Sequence, residues 1–130
     1  MRPATPDEID LHRHAGRAAE QAYVPYSNFP VGAAIRVRGS DTPVLGANVE
    51  NASYGLTSCA ERNAVFAAVG SGHRDLEAIA VHGRGRTVTP CGACRQVLAE
   101  FAPRLTVIFP REGELVAATL DELLPERFTL

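Results

Sequence analysis

Apolar residues recur along this chain with two different periods, and the change from one to the other divides it into helices and strands. From Pro6 onward Ile9, Leu11, Ala15, Ala18, Ala19 and Ala22 return at roughly helical spacing. Thr5-Pro6-Asp7-Glu8 reads as a helix start, with Thr5 as cap, Pro6 at the first helical position and Glu8 completing a capping box. The pattern predicts a helix running to about Tyr23 and stopped by Pro25. After the loop from Pro25 to Pro30, Val31 to Arg38 and Val44 to Glu50 have strand character. The turn between them is rich in Gly, Ser, Asp and Pro, so an antiparallel hairpin is expected. A second helix fits Cys59 to Val69, closed by Gly70. Leu76 to His82 and Arg104 to Phe109 are apolar runs of strand length, with the helical pattern of Cys91 to Phe101 between them. Strand, helix, strand in that order implies a parallel crossover. Leu115 to Ala118 adds a short edge strand, and Leu120 to Leu124 a last helical turn before Pro125. The sum is a single α/β domain over residues 1–130, three layers deep (α/β/α), around a mixed five-stranded sheet.

Composition narrows the class of partner. Thirteen basic residues against 15 acidic ones leave a formal charge of −2, with no basic excess to collect phosphates or an anionic membrane. A polynucleotide or a lipid surface is therefore not the expected partner. No apolar run approaches the length of a membrane span, and Met1 to Glu8 lack the basic-then-apolar layout of a signal peptide, so a cytoplasmic location is expected. Three cysteines cannot all pair within one chain, and in a reducing compartment such residues are more often ligands or nucleophiles than disulfide partners.

Their spacing carries the chemistry. Thr57-Ser58-Cys59-Ala60-Glu61-Arg62 opens one expected helix and Thr89-Pro90-Cys91-Gly92-Ala93-Cys94-Arg95 opens the next. At a helix N-terminus the unpaired N–H groups and the positive end of the dipole favour thiolate, the form that binds a metal. Cys91 and Cys94 are three apart and share one helix face, while Cys59 arrives from the neighbouring helix. Three thiolates suit one Zn2+ per chain, tetrahedral, with the fourth position left for solvent. A purely structural zinc would instead close its shell with a fourth protein ligand, for which His82 or His73 is available; neither stands in a ligand-spaced motif with a cysteine. A Cys-x-x-Cys pair can also be a redox couple, and an acid in the first turn of a helix can simply favour the dipole. Glu61, two residues from Cys59, does not face the metal as a ligand but reaches the open position, where a carboxylate can accept and return protons. Three thiolates over-neutralise a zinc dication, and Arg62 or Arg95 can offset this by donating hydrogen bonds to sulfur.

Cys59-Ala60-Glu61 followed by Pro90-Cys91-Gly92-Ala93-Cys94-Arg95-Gln96 resembles the zinc-dependent cytidine deaminases, and among them the short homotetrameric class with an all-cysteine metal site. Tyr23-Val24-Pro25-Tyr26-Ser27-Asn28-Phe29-Pro30-Val31-Gly32-Ala33-Ala34 and Asn48-Val49-Glu50-Asn51-Ala52-Ser53-Tyr54 extend the likeness, which spans Tyr23 to Phe128. The resemblance implies hydrolytic deamination of cytidine and deoxycytidine to uridine and deoxyuridine with release of ammonia. It implies Asn48 and Glu50 on the ribose hydroxyls, Phe29 on the pyrimidine face, Phe128 approaching the base, and the Ala60 N–H on the base carbonyl. Tyr54 matches a subunit-interface tyrosine, so a homotetramer is expected. Cys59 stands where many deaminases have histidine, which points away from the larger dimeric class. A deaminase of a nucleoside-like antibiotic of the blasticidin type shares the short fold and the cysteine site; Asn48 to Ala52 tips the reading toward a ribose-bearing substrate. A polynucleotide-editing deaminase would call for a basic groove with interleaved aromatics, which this composition does not offer.

Overall fold

The computed structural model describes residues 1–130. Its first helix, α1 (Pro6–Ala18), begins as the sequence dictates: the Thr5 hydroxyl accepts the Glu8 N–H and the Glu8 carboxylate accepts the Thr5 N–H at 2.8 Å. Arg2 grips the same carboxylate with two hydrogen bonds of 2.9 and 2.8 Å, so this acid is buried without being left unpaired. The helix ends earlier than expected. A 3-10 turn over Ala19–Gln21 finishes it, and Tyr23 is drawn away to bond with the segment after the hairpin: its N–H donates to the Asn48 carbonyl at 3.0 Å and its carbonyl accepts from Glu50 at 2.9 Å.

The hairpin forms from β2 (Val31–Val37) and β3 (Val44–Ala47), paired antiparallel with Ala33 opposite Gly46. β3 stops at Ala47, short of the expected Glu50, because Val49 turns to bridge Ser58 on one side and Tyr23 on the other. Next come α2 (Ala60–Gly70), β4 (Leu76–Gly83), α3 (Gly92–Phe101) and β5 (Thr106–Arg111). β4 and β5 are parallel, with Ile79 opposite Val107, as a strand–helix–strand crossover requires. β6 (Glu114–Thr119) returns antiparallel to β5 and leads through a Thr119/Glu122 capping box into α4 (Leu120–Leu123).

The sheet has six strands, one more than the sequence predicts, in the order β1-β6-β5-β4-β2-β3, where β1 is Arg2–Pro3. This two-residue strand pairs antiparallel with Ala117 and Val116, so β6 lies inside the sheet and not at its edge. Two exposed residues, one of them proline, carry no alternating pattern, and their pairing is decided wholly by β6.

Side chains alternate across the strands and fill both faces. Ala34, Ala78, Ala80, Ile108 and Ala117 meet Leu11 and Ala15 of α1. Ala33, Ile35, Ile79, Val107 and Phe109 meet Ala60, Ala64, Val65 and Leu98 of α2 and α3. Helix α2 lies almost directly on the β3 backbone: a β-carbon on Gly46 would stand 2.5 Å from the Ala60 carbonyl oxygen. That close approach fixes the N-terminus of α2, where the candidate chemistry sits.

Candidate active site

Cys59 and Cys91 are the N-cap residues of α2 and α3, both with extended backbone, and Cys94 lies in the first turn of α3. The three sulfurs lie within 4.8 Å of one another, with Cys91 Sγ to Cys94 Sγ at 3.5 Å. Tetrahedral zinc with bonds of about 2.3 Å requires sulfurs about 3.8 Å apart, so the triad fits such an ion with little adjustment. No histidine or carboxylate joins the set. His82 instead lies against His12, ring centres 5.0 Å apart, and His73 follows the far end of α2. A fourth protein ligand is therefore not at hand, which is the arrangement of a reactive centre rather than of a closed structural one. Cys94 is buried, Cys59 half-buried and Cys91 exposed, so the cluster opens to solvent on the Cys91 side.

The electrostatics follow from the crowding. The Cys94 thiol, donating to Cys59, lowers Cys59 to about 5, with help from the Arg62 guanidinium; Cys94, holding that proton for its neighbour and buried, is pushed upward. Within this pair Cys59 is the sulfur favoured as thiolate, and a bound metal would displace the proton that Cys94 holds. Glu61 is 4% exposed, and burial first, then the Cys59 charge, raises its carboxyl above the ordinary carboxylate range. A carboxyl tuned upward in this way both holds and releases a proton nearer neutrality.

The two arginines divide their work. Arg62 Nη2 donates to Cys59 Sγ at 3.3 Å. Arg95 does not reach sulfur: its Nε and Nη1 donate to the Pro90 and Leu123 carbonyls, each at 2.7 Å, tying the entry to α3 to the end of α4.

The Asn48–Glu50 segment faces a different loop. Asn48 Oδ1 accepts the Val31 N–H at 2.9 Å and its Nδ2 donates to the Phe29 carbonyl at 3.0 Å. Glu50 Oε1 accepts from Tyr26 at 2.9 Å and Ser27 at 3.1 Å; Ser27 foremost holds its carboxyl below the ordinary range. Each side chain thus clips the loop that presents Phe29 and retains hydrogen-bonding capacity for a ligand: one amide N–H on Asn48, one oxygen on Glu50. Phe29 packs against Gly83 at the end of β4, with the Arg86 guanidinium 5.3 Å from its ring centre. Phe128 is tied to α3, its carbonyl accepting from Gln96 Nε2 at 3.1 Å. It is 70% exposed, in a groove with Phe66, Gln96, Val97 and Phe101 that includes neither the cysteines nor Phe29. Tyr54 is 75% exposed and meets Tyr26 edge to face.

Asn63 and Ser58 escaped the sequence reading. Asn63 Nδ2 donates to the carbonyls of Ala47 (2.7 Å) and Ser58 (3.5 Å), and its Oδ1 accepts the Ser58 hydroxyl at 2.7 Å. The available signal was an asparagine inside a helix, where its propensity is poor and a local bond is the usual reason.

Residues 6–109 match the family model described as the cytidine and deoxycytidylate deaminase zinc-binding region. A cytidine deaminase of Halalkalibacterium halodurans is 51% identical over 126 residues, covering 95% of each chain. The crystal structure of cytidine deaminase from Burkholderia pseudomallei superposes with a TM-score of 0.86 at 44% identity, covering 96% of this chain and all of that one. A blasticidin-S deaminase of Bacillus cereus is similar at a lower level, 33% over 108 residues and 76% of each chain. With the three sulfurs gathered at two helix N-termini and a buried glutamate beside them, the chain belongs to the zinc-dependent cytidine deaminase family.

Proposed function

We propose that this protein hydrolyses cytidine and deoxycytidine to uridine and deoxyuridine, releasing ammonia. The observation that carries the reading is the pairing of a three-cysteine cluster, open to solvent at Cys91, with the buried carboxyl of Glu61 two residues from Cys59. Cys59, Cys91 and Cys94 are suited to hold Zn2+, which when bound supplies the Lewis acidity that makes water a nucleophile at neutral pH. Glu61 takes a proton from the attacking water and delivers it to ring nitrogen 3, leaving carbon 4 open to attack by the oxygen. It then takes the second proton of that oxygen and gives it to the departing amine, so that water and cytidine leave as uridine and ammonia. The free N–H of Ala60, at the first helical position of α2, suits the base carbonyl as a hydrogen-bond donor. The unused N–H of Asn48 and oxygen of Glu50 suit the two hydroxyls of a ribose, and Phe29 suits the flat face of a pyrimidine.

The same reading makes the working form a homotetramer. Tyr23, Tyr26, Tyr54 and Leu56 are exposed, with Tyr26 against Tyr54, and the exposed Phe66, Phe128 and Leu130 line one groove. Phe128, exposed in a groove that does not include its own cysteines, would serve the site of a neighbouring subunit. No helix is long and apolar enough to cross a membrane, and we place the protein in the cytoplasm, acting on a free nucleoside and not on a polynucleotide. The test is to incubate the zinc-loaded protein with cytidine, deoxycytidine and blasticidin S separately, following uridine, deoxyuridine and ammonia. Turnover of the two nucleosides is expected; turnover of blasticidin S alone, or of none, overturns the reading. Light scattering should report four chains, and an active monomer would refute the assembly.

A further inference from the structure

Asn63 joins two segments that the proposed reaction uses for different purposes. Its amide donates to Ala47, the last residue of β3, directly before Asn48. Its oxygen accepts from Ser58, directly before Cys59. The segments also meet through Val49 and Ser58, which exchange hydrogen bonds of 3.0 and 2.9 Å, but this is an isolated bridge with no ladder on either side. After Ala47 the chain has left the sheet, and apart from Asn63 the side-chain network ties the two segments only at their far end, where Thr57 Oγ1 accepts the Asn51 N–H at 3.2 Å. Beside Cys59 itself, the Asn63 carboxamide holds what regular structure does not.

We propose that Asn63 is a positioning residue that sets the register of the Asn48–Glu50 segment against Cys59 and Glu61. The inference rests on the reading of Asn48 and Glu50 as sugar-binding and of Glu61 as the proton carrier. Under that reading the sugar is gripped on one side of Asn63 and the base reacts on the other. Binding energy from the non-reacting sugar aids the chemical step only if the two sides are rigidly related. An error of about 1 Å in such an alignment can cost on the order of a hundredfold in rate. Asparagine suits the task because its planar amide offers donors to the Ala47 and Ser58 carbonyls and an acceptor to the Ser58 hydroxyl; aspartate would turn a negative oxygen toward both carbonyls.

A merely structural Asn63 would lower stability on substitution and leave the kinetics of the folded fraction alone. The experiment measures zinc content, thermal midpoint, kcat and KM for cytidine in Asn63→Ala and Asn63→Asp, and repeats Asn63→Ala in a Glu50→Ala background. Zinc should stay at one per chain. kcat/KM should fall on the order of ten- to a hundredfold, chiefly in kcat, because each half-site survives and only their alignment is lost. In the Glu50→Ala background the same change should cost about twofold at most, since the sugar grip it aligns is already gone. Unchanged kcat with a lowered midpoint, or the same loss in both backgrounds, overturns the proposal. Should Asn63→Ala fail to fold, Ser58→Ala removes only a hydroxyl from the network and should lower kcat several-fold; wild-type kcat there overturns the proposal equally. A wild-type protein that does not deaminate cytidine refutes the functional reading instead, so the two failures are told apart.

Discussion

Replacing Gly46 with alanine should unseat the active site from a distance. The added β-carbon would lie 2.5 Å from the Ala60 carbonyl oxygen and the Ala64 nitrogen, and 2.9 Å from the Ala64 Cα. Ordinary contact begins near 3.4 Å, and every opposing atom is backbone, so no side chain can swing aside. Helix α2 must retreat from β3 by roughly 1 Å, an overpacking strain that typically costs about 1–3 kcal/mol. For a chain of this size that lowers the thermal midpoint by roughly 4–15 °C. The first turn of α2 carries Cys59 and Glu61, so the same retreat shifts both relative to Cys91 and Cys94 on α3. Misplacement on that scale reduces kcat/KM by on the order of a hundredfold in the fraction that stays folded. Calorimetry and cytidine turnover on one preparation measure both effects. Gly70→Ala is the control: it closes the same helix with nothing within 4 Å of the new carbon and should raise stability by about 0.5–1 kcal/mol without altering turnover. Wild-type midpoint and turnover in Gly46→Ala would refute the claim that this contact seats the site.

Three further outcomes follow from the structure. Burial, and then the charge of His82, lowers His12 to about 4, so the unfolded chain binds a proton below about 6.5 that the folded chain refuses. Stability should therefore fall as pH falls through the window from about 6.5 to about 4, and His12→Gln should flatten that slope in urea melts at a series of pH values; parallel slopes would contradict it. Cys91→Ala should lose zinc and stability together, since metal binding is part of the folding free energy, and full zinc content by elemental analysis would remove Cys91 from the ligand set. Arg62→Ala should weaken zinc affinity about ten- to a hundredfold in a chelator competition, whereas Arg95→Ala should chiefly lower the melting midpoint, because only Arg62 touches a sulfur; the reverse order would refute that assignment.

What could be read from the sequence was what local chemistry decides. The helical patterns that begin at Cys59 and Cys91 are local, so the placement of both at the starts of α2 and α3, with Cys94 in the first turn of α3, was legible in advance. The capping box at Thr5 and Glu8 was legible for the same reason. The departures all come from partners distant in the chain. Tyr23 leaves the helix because Asn48 and Glu50 bond its backbone, and Arg2–Pro3 becomes a strand because Val116 and Ala117 offer an open edge. Arg95 sits one residue from Cys94, yet its donors are taken by Pro90 and by Leu123, 28 residues away. Asn63 gave little signal because its partner Ala47 lies 16 residues before it.

Glu61→Gln tests the central claim most directly, because it keeps the size of the side chain and most of its hydrogen-bonding capacity while removing the carboxylate that carries every proton transfer. Zinc content and cytidine binding should be measured beside turnover, since Phe29, Asn48, Glu50 and the Ala60 N–H are left in place. General acid–base catalysis contributes on the order of a hundred- to ten-thousand-fold, and a residue serving two transfers should lie at the upper end or beyond. The account predicts near-complete loss of kcat with one zinc per chain and cytidine still bound. Substantial turnover by the zinc-loaded Glu61→Gln protein would contradict it, and would reduce Glu61 to an acid at a helix start.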